Sequence, residues 1–233
     1  MCFAIIEIQV LPVKKFIHNR LDINGSLQEE TTRTGRSYST PEGVFPSVTT
    51  VVGFEKQKFF AKWRANNATE SLRVTTRGTD FHGIIEDYMN NKEIDFDKMM
   101  PNMVDIFIKI QPLLHRIDNI RLLEAPLWSS LLGLAGRTDC IADFDGELSI
   151  IDFKASTKTK RSQDIENYFL QATAYAMMLQ ERTSIKVNKF SILIACENGS
   201  SQVFEGKPIT YVKKLKEIID RYKEHHYVQN QNS

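Results

Sequence analysis

Residues 136–156 read GRTDCIADFDGELSIIDFKAS, and the reading of the chain turns on Asp139, Asp152 and Lys154 within them. Asp145 and Gly146 form a two-residue hairpin signal between two short, partly alternating apolar runs, 134–144 and 147–154, so adjacent antiparallel strands are predicted. Side chains at i and i+2 of a strand leave the same face. Asp152 and Lys154 therefore project together, Ile151 and Phe153 point the other way, and the hairpin carries Asp139 toward Asp152 across the ladder. Two neighbouring carboxylates repel unless a cation lies between them, and Mg2+ characteristically takes one or two carboxylates with waters and phosphate oxygens. A Mg2+ or Mn2+ site with Lys154 as an adjacent point charge is suited to hydrolysing a phosphodiester.

An Asp and a Lys two apart in a strand are, in most proteins, a solvated ion pair. Here Ile150 and Ile151 come immediately before them, which puts the acid at the end of a buried strand. A basic run follows, with Lys154, Lys158, Lys160 and Arg161 and no acid before Asp164. Next comes a helical pattern carrying Gln171 and Tyr175 four positions apart, on one face. Upstream, RGTDFHGIIEDY (77–88) holds Gly78, His82 and Glu86, and RLLEAPLW (121–128) holds Glu124.

Taken in order, Gly78-x-x-x-His82 with Glu86, Asp139, Asp152-x-Lys154 and Gln171-x-x-x-Tyr175 resemble the RecB-like exonuclease branch of the PD-(D/E)xK nuclease superfamily. Its mitochondrial and bacteriophage members also share the segment PSVTT, Pro46–Thr50 here, and the likeness runs over about residues 41–225. The resemblance implies an α/β fold: a restriction-endonuclease-like core whose mixed central β-sheet is flanked by helices. A β-rich lead-in, 1–52, would precede a nuclease domain, 53–233, made of a helical elaboration, 53–120, layered over the active site and a catalytic core, 121–233.

By the same resemblance Asp139, Asp152 and the Phe153 carbonyl hold Mg2+ or Mn2+, and Lys154 positions water and neutralises developing charge. His82 approaches the metal or its water, with Glu86 one turn later able to orient the ring. Gln171 and Tyr175 contact the nucleic-acid backbone or buttress Lys154. Glu124 has two readings, a further carboxylate near the metal or a strand-surface acid. Lys158, Lys160, Arg161, Lys62 and Trp63 are candidate DNA contacts. Phe59, Phe60 and Trp63 could stack bases or pack their helix onto the core, packing being the commoner fate for at least two of the three. The implied function is a monomeric, metal-dependent DNA exonuclease acting on single strands with free ends in replication, recombination or repair. A helical layer over the cleft would exclude a duplex about 20 Å across while admitting one strand. The alternatives are a structure-specific endonuclease of the same fold and a nuclease-fold module that binds DNA without cutting it, the latter opposed by the intact Asp139, Asp152 and Lys154.

Composition fits a globular enzyme: 233 residues, 42% apolar and 25% charged, enough for one good core. A net charge of +1 gives no global basic field, so nucleic-acid contacts must come from local clusters. Cys2, Cys140 and Cys196 show no paired spacing, which argues against a disulfide framework or zinc site and excludes a four-cysteine iron–sulfur cluster. No G-x-x-x-x-G-K-[ST] loop is present, so no motor activity is encoded. The run MCFAIIEIQVLPV (1–13) is too short and too interrupted by Glu7 to span a bilayer and is read as a strand; a soluble intracellular location follows, bacterial or phage-infected host cytoplasm rather than mitochondrial matrix. Asn24-Gly25 and Pro41-Glu42-Gly43 mark turns. Helices are expected over 54–69, 79–90, 103–120 (kinked or broken at Pro112), 164–181 and 208–227, and strands over 121–130, 134–144, 147–154 and 189–196.

Overall fold

The computed structural model describes residues 12–23, 25–32 and 35–231. Most of the strand expected over 1–13, and Asn24 of the first turn signal, lie outside them. A three-stranded antiparallel meander comes first: β1 (Gln28–Thr32), β2 (Gly35–Thr40) and β3 (Gly43–Pro46). Four helices follow, α1 (Val48–Gly53), α2 (Gln57–Asn66), α3 (Ala68–Met89) and α4 (Pro101–Leu114). The second half alternates β4 (Ile117–Ser129), β5 (Leu134–Phe144), β6 (Glu147–Lys158), α5 (Glu166–Thr183), β7 (Lys189–Asn198), β8 (Gln202–Gly206) and α6 (Pro208–Gln231).

The last five strands form one sheet in the order β4-β5-β6-β7-β8. Its pairs are antiparallel except β6 with β7, which α5 connects, as a parallel pair needs a crossover. Period-two alternation sorts the strand residues to two apolar layers. Ile151, Phe153, Leu193 and Cys140 pack with Phe81, Ile85, Ile106 and Phe107 of α3 and α4. Ile150, Ile141, Ile192 and Ile194 pack on the other face with residues of α1, α5 and α6. This is the mixed, helix-flanked α/β sheet that the sequence implies.

The β5–β6 hairpin turns where Asp145-Gly146 places it, both residues having positive φ (53° and 80°), the left-handed backbone a two-residue hairpin loop requires. Arg116 donates to both Asp145 carboxylate oxygens at 2.9 and 2.5 Å. The pairing of β5 with β6 runs from Phe144↔Glu147 only to Cys140↔Ile151. Beyond that point β5 continues against β4 and β6 against β7, so the two strands separate just before Asp139 and Asp152 would pair.

Several elements differ from expectation. The lead-in ends in a helix, α1, because Ser47 of the PSVTT segment is an N-cap, its hydroxyl accepting from the Thr50 N–H at 3.0 Å. The helix expected over 54–69 closes at Asn66, and Asn67 donates its side-chain amide to the Trp63 carbonyl at 2.8 Å. α3 then runs 22 residues through Gly78 rather than starting at 79. The helix expected to reach residue 120 stops at Leu114, two residues past Pro112, and the chain is already extended at Ile117. Leu114, Ile117 and Ile120 are all fully buried, so the apolar spacing that suggests a longer helix is spent on a helix end and the start of a strand. The five-residue edge strand β8 has no counterpart among the expected strands.

Candidate active site

The site lies where β5 and β6 diverge. Freed from the β5 ladder, the Phe153 N–H donates to Asp139 Oδ2 at 2.8 Å, so the carboxylate takes the place of a strand partner. Asp152 is 2% exposed and its Oδ1 accepts twice, from Lys154 Nζ at 2.6 Å and Gln171 Nε2 at 3.0 Å. Its Oδ2 is buried and has no hydrogen-bond partner. Burial pushes the Asp152 carboxyl up to about 6, against the pull of Lys154 and with the help of Asp139. Burial alone would lower the Lys154 ammonium, but Asp152 and Asp139 outweigh it and hold the group above the ordinary lysine value. Lys154 therefore carries its charge at neutral pH, with Nζ also 5.2 Å from the centre of the Tyr168 ring.

His82 reaches the fork from α3. Its Nδ1 stands 3.6 Å from both Glu124 Oε1 and Asp139 Oδ2. Burial works against the imidazolium, yet Asp139 and Glu124 raise its pKa above the usual histidine value. Among the described residues no hydrogen bond joins Glu86 to this ring, and Glu86 lines a separate cleft with His18, Arg20, Asn90 and Arg121. Glu124 owes its position to backbone outside the strand region, φ +46°, in the middle of β4. Such a conformation in a side-chain-bearing residue costs of order 1–3 kcal/mol and persists where surrounding structure imposes it. The support here is Arg137, whose Nη1 donates to the Glu124 carbonyl at 2.5 Å.

His82, Glu124 and Asp139 each offer a ligand atom, all within 4.8 Å of one another, an arrangement able to hold a metal ion. One imidazole nitrogen and carboxylate oxygens form a donor set compatible with hard divalent cations, and the unpartnered Oδ2 of Asp152 is the kind of buried acceptor that a cation satisfies. The residues present fit such an ion. Gln171 bonds Asp152 rather than Lys154, so what it buttresses is the carboxylate. Tyr175 is almost wholly buried against Gly136, where a Cβ would stand 2.6 Å from the tyrosine oxygen.

The fork opens into a cavity of about 290 Å³ whose lining includes His82, Glu124, Asp139, Lys154, Gln171 and Tyr175. Glu29, Arg36, Tyr38, Ser47 and Thr49 also line it, residues that the sequence does not single out except through the PSVTT segment. A larger groove of about 720 Å³ runs beside Lys154 between α2, α3 and the end of β6, and includes Phe59, Phe60, Trp63, Arg64, Lys158 and Lys160. Phe59 and Phe60 are 67% and 44% exposed, and no residue of α2 is buried, so these aromatics do not pack the helix onto the core. Lys62 is exposed and outside the groove lining. Arg161 pairs with Asp164 and faces a different cleft.

The family model described as the PD-(D/E)XK nuclease superfamily matches residues 56–226. The human protein Mitochondrial genome maintenance exonuclease 1 is 28% identical over 176 residues, 67% of this chain and 51% of that protein. Its Xenopus tropicalis counterpart is 25% identical over 68% of this chain and 50% of its own length. The chain thus spans about half the length of the curated relatives it matches. A crystal structure of a Eubacterium rectale protein aligns with TM-score 0.44 and 12% identity over 65% of each chain, too distant to bear on function. Among the described residues no helix is long and apolar enough to cross a membrane.

Proposed function

Because this chain belongs to the PD-(D/E)XK nuclease superfamily, we propose that it is a Mg2+- or Mn2+-dependent DNA exonuclease that hydrolyses phosphodiester bonds of single strands from free ends. The observation that carries this reading is the buried, unpartnered Oδ2 of Asp152 beside the cluster of His82, Glu124 and Asp139. Asp139, Asp152, Glu124 and His82, with the Phe153 carbonyl, are the proposed ligands. A divalent ion held by them would supply Lewis acidity, offsetting phosphate charge and acidifying water. Lys154, fixed by Asp152 and charged at neutral pH, neutralises negative charge that develops on the phosphate and orients the attacking water. Gln171 keeps Asp152 Oδ1 occupied, leaving Oδ2 as the free acceptor.

The single-strand preference is supported by the groove that carries exposed Phe59 and Phe60 together with Trp63, Arg64, Lys158 and Lys160, a mixture of stacking faces and phosphate partners. Lys62, Arg161, Gln171 and Tyr175 belong to the proposed DNA-contacting set only if the bound strand spreads beyond the groove or into the cavity. Replication, recombination or repair is the proposed setting, with the chain acting as a monomer in bacterial or phage-infected host cytoplasm; the mitochondrial names belong to the relatives. The proposed division keeps 1–52 as lead-in to a nuclease domain of 53–233.

The test is digestion of end-labelled linear single-stranded and duplex DNA and of circular single-stranded DNA, with Mg2+, with Mn2+ and with EDTA. Cleavage confined to linear strands and to the metal-containing reactions is expected. Cutting of the circle would replace the reading with an endonuclease, and binding without cleavage in every metal with a non-catalytic module.

A further inference from the structure

The N-terminal meander contributes Glu29, Arg36 and Tyr38 to the lining of the cavity at the fork, and Arg36 takes no part in the proposed chemistry. Arg36, in β2, lines the same cavity as His82, Asp139 and Lys154. Its backbone is fixed by the PSVTT segment: the Ser47 N–H donates to the Arg36 carbonyl at 2.8 Å, and the Arg36 N–H donates to Thr50 Oγ1 at 3.1 Å. The segment that starts α1 therefore also anchors this arginine. The side chain is held loosely by comparison. Its Nε lies 3.2 Å from Glu29 Oε1 with both side chains about half exposed, and Nη1 lies 3.4 Å from the Tyr38 hydroxyl. Exposed pairs of this kind contribute little and exchange readily. A phosphate diester offers a guanidinium two oxygens and a full charge, and arginine is the side chain best shaped to take them.

We infer that Arg36 binds a backbone phosphate of the substrate strand next to the scissile position, taking it in place of Glu29, and that β1–β3 belong to the substrate-binding site. The inference rests on the nuclease reading above. Residues 28–46 precede residues 56–226, which the family model matches, so this contact lies outside the matched segment. Glu29 acts as a built-in competitor that keeps Arg36 paired until a strand arrives.

The two partners respond oppositely if this is right. Binding of a fluorescein-labelled single-stranded oligothymidine to the full chain in EDTA should weaken about ten-fold in Arg36→Gln, the loss of one charged contact. Its log-log salt slope should shrink by about 0.7, one phosphate's worth. Glu29→Gln should bind more tightly than wild type. In cleavage of the same strand with metal, Arg36→Gln should raise KM while leaving kcat within about two-fold, the signature of lost ground-state binding, and Arg36→Lys should recover some of the loss. If Arg36 merely ties β2 to β1, Glu29→Gln and Arg36→Gln will weaken binding alike, and the inference falls. It also falls if wild type binds the strand and Arg36→Gln binds it equally well. Failure of the wild-type chain to bind any single strand would instead overturn the nuclease reading on which it rests.

Discussion

Asp152 gives one oxygen to a lysine and a glutamine and keeps the other free, and this division of labour sets what the residue can do. Lys154→Ala should reduce cleavage by at least about 10²-fold, the usual size of a lost transition-state charge contact, while strand binding in EDTA changes little; cleavage at the wild-type rate would remove Lys154 from the chemistry. The raised Asp152 carboxyl has its own signature. Its folded pKa of about 6 lies above the unfolded value, so between roughly pH 4 and 6 the folded state binds the extra proton, and this group makes the metal-free fold less stable as pH rises through that window. Carbon-13 NMR of side-chain carboxyls in EDTA should find a resonance titrating near the top of that window and missing from Asp152→Asn; added Mg2+ should move its midpoint down. Glu124 offers a separate test of strain. Glu124→Ala keeps the left-handed backbone penalty and Glu124→Gly relieves it, so the glycine variant should be the more stable of the two by about 1 kcal/mol in urea unfolding, with metal binding weakened in both.

At the level of elements, the packing of α5 on β5 depends on the absence of a side chain at Gly136. Gly136→Ala would press a methyl group onto the Tyr175 hydroxyl and should cost about 1–3 kcal/mol of stability; Gly136→Ala combined with Tyr175→Phe should recover some of it, and no recovery would place the clash elsewhere. The hairpin of β5 and β6 is legible because a two-residue turn signal sits between alternating runs, which fixes both the turn and the face of every side chain. α3 reads short in the sequence because Val74, Thr75, Thr76 and Gly78 are poor helix formers in isolation, and tertiary burial of Phe81, Ile85, Tyr88 and Met89 overrides them. α1 and β8, six and five residues long, have too few positions to show a period. The site divides in the same way. Asp139, Asp152 and Lys154 can be brought together from the hairpin alone, whereas the meeting of His82 with Glu124 depends on a backbone outlier, and Arg36 joins the cavity lining through the tertiary placement of the meander.

Across the whole molecule, a net charge of +1 gives no global basic field, so in the proposed reading strand binding falls to local clusters such as the groove of Phe59 and Phe60. Phe59→Ala together with Phe60→Ala should weaken binding of a single-stranded oligonucleotide about ten-fold or more, each stacked base being worth roughly 1–3 kcal/mol. The salt slope should stay as in wild type, since no cation is removed; equal binding by the double variant would show that the strand takes another route. The geometry of the fork reaches further than its immediate neighbours. Asp139 and Asp152 stand at equal distances along the chain from the Asp145-Gly146 turn, one step beyond the last paired residues of the ladder. The hairpin is thus a ruler whose zero mark lies at the far end of the ladder from the chemistry. Lengthening that turn by a single residue would leave every proposed ligand in the sequence and yet offset one arm against the other, so the length of this small surface loop matters as much to the fork as the residues within it.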